Sequence, residues 1–150
     1  MPAPHHGGMH TPPRPFLAAR TALLALACTL PLAHAADTTA ALQMQRWSDA
    51  SGAPVSAERG RVFFTSRHGG EWSCASCHGN PPTAPARHAS TGKAIAPLAP
   101  AFNPERFTDS AKADKWFRRN CKDVLKRECT AAEKADVLAW LLQFNAKDRP

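Results

Sequence analysis

The stretch Cys74-Ala75-Ser76-Cys77-His78 decides how the rest of this chain is read. Two thiols three positions apart can each add across one vinyl group of a haem, and the adjacent imidazole then falls under the iron as its proximal ligand. One covalently attached haem c is the expected cofactor, with Cys74 and Cys77 as attachment points and His78 as metal ligand. Competing readings need partners that the chain lacks. A zinc site needs two more ligands, and no second close Cys/His pair follows. A thioredoxin-like thiol pair needs a βαβ context, which the pattern does not offer. A plain disulfide beside an incidental histidine is the bland alternative, and the destination of the chain argues against it.

That destination is written in the first 35 residues. After a polar, His- and Pro-rich start come Arg14 and Arg20, then the apolar run from Thr21 to Leu32, then Ala33-His34-Ala35, the small-x-small pattern of a signal peptidase site. The run is about 12 residues, short of the ~20 that a membrane-spanning helix needs. Pro31 and the proline-rich lead argue against a buried helix, and Ala25 stands where a lipoprotein signal wants a bulky aliphatic residue. Residues 1–35 are expected to be a cleaved secretory signal peptide, and 36–150 a single domain in the periplasm. Cleavage leaves 115 residues with 17 basic and 12 acidic side chains. It also removes Cys28, leaving Cys74, Cys77, Cys121 and Cys129 in an oxidising compartment, where a pair can persist as a disulfide.

At 43% hydrophobic and 21% charged residues the composition excludes collagen-like, low-complexity and coiled-coil chains. Beyond the signal, the pattern predicts helices joined by a proline-rich loop, with little strand. Residues 38–50 are helix-friendly and stop at Ser51-Gly52-Ala53-Pro54; residues 56–66 start at a Ser56 cap. Six prolines between 80 and 107 exclude a regular helix or central strand there and predict a long wrapping loop. Helical periodicity returns over 110–124. The last helix opens at Thr130-Ala131-Ala132-Glu133, a capping box, and runs through Val137, Leu138, Trp140, Leu141 and Phe144.

The second axial position on the iron decides the function. Small c-type cytochromes commonly use a downstream methionine, but Met1, Met9 and Met44 all precede the motif. His88 and His68 are candidates by residue type, close to the motif on either side. Asn120 is the third. Ala113, Trp116, Phe117, Asn120 and Val124 share one helical face, and an asparagine within an apolar stripe is costly unless its amide finds a partner. That partner is either backbone at a helix end or the iron.

Glu58-Arg59-Gly60-Arg61, Cys74-x-x-Cys77-His78, Thr91-Gly92-Lys93, Pro97-Leu98-Ala99-Pro100, Arg106-Phe107-Thr108-Asp109, Trp116, Arg119-Asn120-Cys121 and Cys129-Thr130 together resemble the sphaeroides heme protein (SHP) family of small class I c-type cytochromes. The likeness runs from about residue 40 to 145. It implies an all-α, class I cytochrome c fold, with helices around the haem and Asn120 as the distal iron ligand. It also implies a Cys121–Cys129 disulfide beside that ligand, and Trp116 at the cofactor. In the family the asparagine leaves on reduction, and the ferrous iron takes oxygen, nitric oxide or carbon monoxide. The electron partner implied is another cytochrome, a dihaem cytochrome c. His68 is a feature that neither reading places.

Several subsidiary expectations follow. Lys112, Lys115, Arg119, Lys122 and Lys126 form a stripe opposite the apolar face, either a solvated surface or a docking site for an acidic redox partner. Lys93 and Arg106 are candidates to pair with haem propionates, and Pro97 to flank His78. Gly60 allows the helix at 56–66 to cross the last helix closely near Trp140, with Phe63, Phe64, Trp116, Leu141 and Phe144 burying the ring. No aromatic-basic platform for nucleic acid appears, and membrane contact is expected only through a redox partner. Two functional classes remain: an electron carrier, and a haem protein that binds or converts a diatomic gas.

Overall fold

The structure, a computed structural model, describes residues 1–3 and 36–148. The expected signal segment, beyond its first three residues, lies outside the described residues. The chain divides into Met1–Ala33 and His34–Pro150, and every element below belongs to the second unit.

Each helix begins where a side chain satisfies a free backbone N–H. Helix α1 (Ala40–Ser51) starts at Thr39, whose hydroxyl accepts from the Leu42 N–H, and ends at Gly52 in the left-handed region, φ 62°. Helix α2 (Ala57–Thr65) is capped by Ser56. The single turn α3 (Cys74–His78) has a reciprocal Ser73/Ser76 capping box. Helix α4 (Ser110–Leu125) starts at the Asp109 carboxylate, and α5 (Ala131–Leu141) at the expected Thr130/Glu133 box. A short 3₁₀ turn, Ala146–Asp148, follows. Between α3 and α4 lies the proline-rich loop, whose only regular piece among the described residues is a small hairpin, β1 (Ala86–Arg87) against β2 (Ala94–Ile95).

Helices α1, α2 and α5 make the packed body, with Trp47, Phe64, Leu138 and Leu141 almost wholly buried. The α2/α5 crossing is as close as Gly60 allows: a Cβ there would overlap the Asp136 carbonyl and the Val137 nitrogen. The contact falls about one turn before Trp140, the residue expected from the sequence. Asp136 explains the shift. Its buried carboxylate accepts from the Ser56 N–H at 2.6 Å and from Arg59 Nε and Nη2 at 2.7 and 3.0 Å, clamping the start of α2 to this point of α5.

Helix α4 is joined to this body by side chains. Gln43, fully buried, donates to Ser110 Oγ at 2.7 Å; Asp114 receives Arg46 and the Trp47 indole N–H. The Phe117 ring meets Trp47 edge-on at 4.9 Å. Phe117 therefore lies at the centre of the buried face with Ala113, Cys121 and Val124. Trp116, about 100° further round the helix, is 42% exposed with the Arg119 guanidinium over its ring. Phe64 and Leu141 are buried, while Phe63 and Phe144 pack half-buried at the margin.

Candidate haem site

Helix α3 is only one turn, so its side chains are fixed by what surrounds it. Cys74 and Ala75 pack against the hydrophobic body, and both Cys74 and Cys77 are free thiols. Burial, reinforced by Cys77, pushes the Cys74 thiol up to about 11, so it stays protonated at neutral pH. Cys77 Sγ accepts a hydrogen bond from the Ala89 N–H at 3.2 Å. The His78 ring lies 6.3 Å from the buried Phe64 ring. Its Nδ1 is buried with no hydrogen-bond partner among the described residues. Burial first, then the charges of Arg106 and His88, lower the His78 pKa to about 4. The imidazole is therefore neutral across the physiological range and offers a lone pair to a metal.

Two free thiols three residues apart, followed by a neutral buried imidazole, fit a thioether-attached haem. The other cysteines do not compete for it. Cys121 and Cys129 are joined to each other, with their Cα atoms 5.6 Å apart. That disulfide ties the last turn of α4 to the residue before the α5 cap.

The three candidates for the second axial position are treated differently by the fold. His68, with φ 52°, turns back so that its Nε2 bonds the Phe63 carbonyl at 2.8 Å and its ring rests 4.5 Å from the Phe63 ring. It closes the end of α2, which accounts for a residue the sequence leaves without a role. His88 joins the hairpin, its backbone N–H donating to Lys93 O and its Nδ1 contacting Ser90 Oγ. Asn120 is half-buried on α4, and its amide makes no hydrogen bond to a described residue. The turn leading into α3 also approaches this part of α4: a Cβ on Gly70 would stand 3.2 Å from the Val124 carbonyl, one turn beyond Asn120.

The loop is held by side chains that donate to its backbone. Arg106 donates through Nε to the Pro97 carbonyl at 3.0 Å and through Nη2 to the Ala96 carbonyl at 2.8 Å. Asn103 Nδ2 also reaches Pro97 O. The guanidinium thus pins the loop, and Lys93 is exposed on the hairpin. Two contributors carried no sequence signal. One is the Ala89 backbone donor at Cys77, and the other is Asp136, which reads as an ordinary surface acid on α5.

A CxxCH turn docked on three packed helices, a fourth helix beside it and a long proline-rich loop define a class I c-type cytochrome. Solved structures agree. The fold matches that described as oxidized SHP, an oxygen binding cytochrome c, with a TM-score of 0.66 and 50% identity over 70% of this chain and 96% of that one. It also matches oxidized cytochrome c'' from Methylophilus methylotrophus, at TM-score 0.61 and 36% identity over 69% and 93% of the two chains. In sequence, the Cytochrome c-type protein SHP of Cereibacter sphaeroides is 50% identical over 113 residues, which are 73% of this chain and 87% of that protein. Residues 50–141 also match a family described as Domain of unknown function (DUF1924). The chain belongs to the sphaeroides heme protein family, and its cofactor is a single haem c.

Proposed function

We propose that this chain is an exported, periplasmic cytochrome that carries its haem on Cys74 and Cys77, with His78 and Asn120 as axial iron ligands. It binds a diatomic gas, oxygen or nitric oxide, once reduction has released Asn120. Its electron comes from another cytochrome, and a dihaem cytochrome c is the class that the family resemblance implies. When bound, the haem supplies a one-electron iron couple and, in its ferrous state, an axial position for a small ligand.

The observation that carries this reading is the uncommitted amide of Asn120, beside a disulfide on a helix otherwise tied down by side-chain bonds. A neutral amide is a hard, weak donor, tolerable to ferric iron and poor for the softer ferrous ion. Release therefore needs only a rotation of one short side chain. The two relatives support the idea by what their structures are said to describe: SHP as an oxygen binding cytochrome c, and cytochrome c'' as a case of haem-ligand detachment. The same chemistry lowers the reduction potential relative to a His/Met cytochrome, because a thioether that favours the ferrous ion is lacking.

Optical spectra of the purified holoprotein test this. The reduced protein should be five-coordinate and high-spin, and should shift on adding carbon monoxide. A reduced form that is low-spin and inert to carbon monoxide makes the protein a simple electron carrier instead. Asn120→Ala should leave the ferric iron open or water-bound, and Asn120→His should give a stable six-coordinate iron in both oxidation states. Ferric spectra identical to wild type in both variants remove Asn120 from the site.

A further inference from the structure

From Trp72 to Pro104 the chain runs for 33 residues without one carboxylate, between Glu71 and Glu105. Folding projects the middle of this stretch outward as the β1–β2 hairpin. The hairpin is closed by the His88 N–H to Lys93 O bond and the Gly92 N–H to His88 O bond, each 2.9 Å. Arg87 reaches over the tip to donate to the Gly92 carbonyl at 3.1 Å. Arg87 and Lys93 are both exposed, and neither makes an ion pair with a described residue. The tip is anchored inward by the Ala89 N–H to Cys77 Sγ bond. Two uncompensated cations are therefore carried by the segment hydrogen-bonded to a sulfur of the CxxCH motif.

The basic stripe on α4 is the obvious rival, but carboxylates are interleaved with it, and of its five cations Lys122 is the one with an ion pair among the described residues. Glu128 lies 3.7 Å from Arg118 and 3.5 Å from Lys122. Asp109, Asp114 and Asp123 are spread along the same helix and its cap. Carboxylates on the same surface weaken the field a partner feels past the ~8 Å screening length of physiological salt. The hairpin has none in its own stretch and, unlike the stripe, is hydrogen-bonded to a sulfur of the motif.

We infer that the Ala86–Ile95 hairpin is the docking surface for an acidic electron-transfer protein, which delivers its electron at the Cys77 side of the site. The inference rests on the c-type reading, since Cys77 marks the cofactor edge only if its sulfur carries the thioether. It is independent of whether Asn120 leaves. Electron transfer falls steeply with distance, so a surface one hydrogen bond from the attachment sulfur is where encounter is productive. Charge complementarity contributes chiefly to the association rate and its salt dependence.

The test is reduction of the ferric holoprotein by reduced flavodoxin, an acidic one-electron donor, followed by stopped flow from low to high ionic strength. Arg87→Glu with Lys93→Glu should cut the second-order rate constant about tenfold or more at low salt and flatten or invert its salt dependence. Lys112→Glu with Lys115→Glu should change it by less than half as much on a logarithmic scale. The single neutralisations Arg87→Gln and Lys93→Gln should each give a partial effect, and they cover the case in which the double reversal does not fold. Ferric spectra and reduction potentials identical to wild type show that the haem itself is undisturbed. A larger drop in the α4 pair, or no drop in either, overturns the inference while leaving the c-type reading intact. A colourless protein overturns both.

Discussion

His78 is enclosed with its Nδ1 unpaired among the described residues, and after burial the Arg106 charge has the largest effect on it. Metal-bound histidines ordinarily donate their second N–H to a carboxylate, carbonyl or water, which makes the imidazole a stronger donor. Here Nδ1 has no such acceptor, and the Pro97 carbonyl is already shared by Arg106 and Asn103. The Arg106 guanidinium is half-buried and bound only to carbonyl oxygens, so its charge is poorly screened. A cation near the iron favours the electron-rich ferrous state. Arg106→Gln should shift the redox equilibrium toward ferric by about tenfold, equivalent to roughly 59 mV for a one-electron couple. Arg106→Lys keeps the charge but cannot fork across two carbonyls, and should lie nearer wild type. Spectroelectrochemical titration measures both. Equal shifts in the two variants mean that Arg106 acts only as a loop pin. A positive charge at position 106 is plain in the sequence. Its acceptors are not, because Ala96 and Pro97 contribute backbone oxygens, which no side-chain pattern reveals.

Helix α5 shows what local chemistry makes legible. Its start was readable from Thr130 and Glu133 alone, because a capping box is a contact between residues three apart. The structure adds a partner: Arg127 forks onto the same carboxylate at 2.8 and 2.6 Å, while Thr130 N–H donates to it at 2.8 Å. The Arg127 hydrogen bonds, followed by the helix-start donors, hold the Glu133 pKa below its usual value. A depressed carboxylate stabilises the fold fully above the ordinary carboxylate range and loses that contribution as pH falls through the lowered value. Glu133→Gln keeps a capping side chain but removes its charge from the helix start, and should cost about 0.5 kcal/mol at pH 7. The gap from wild type should close as the pH is taken below about 4. Urea unfolding at pH 7 and pH 3 checks this, and a gap that does not narrow removes the carboxylate's charge from the explanation. Helix α4 was less legible. Its period was clear and put Trp116 and Phe117 on one face, but did not show what that face meets. Trp47, 70 residues before Phe117 in the chain, packs on it, a contact that local periodicity does not reveal. The small hairpin was missed because two-residue strands are too short to show alternation.

At the level of the whole molecule, the arrangement turns on one place where two helices touch backbone to backbone. Gly60 is required there for space, since a side chain would need the Asp136–Val137 peptide to move. Gly60→Ala should cost about 3 kcal/mol or more and lower the yield of haem-loaded protein, because α2 leads directly into the α3 turn. An unchanged urea midpoint means that the helices separate without penalty. Sequence pattern carried the helix order, the CxxCH attachment and the need for a close crossing. It missed the crossing's exact partner, since the Asp136 clamp joins residues 77 and 80 apart. The asymmetry between the two cysteine pairs has its own consequence for biogenesis. Sulfur exchange proceeds through the thiolate, and Cys74, with its pKa near 11, offers about one part in ten thousand of that form at pH 7. Alkylation of the folded, haem-free chain at pH 7 should therefore modify Cys74 slowly, and unfolding in urea should speed it; equal rates in the two states contradict this. Folding thus separates the sulfurs by solvation: one pair is committed to the scaffold, while Cys74 is shielded from exchange until its porphyrin arrives.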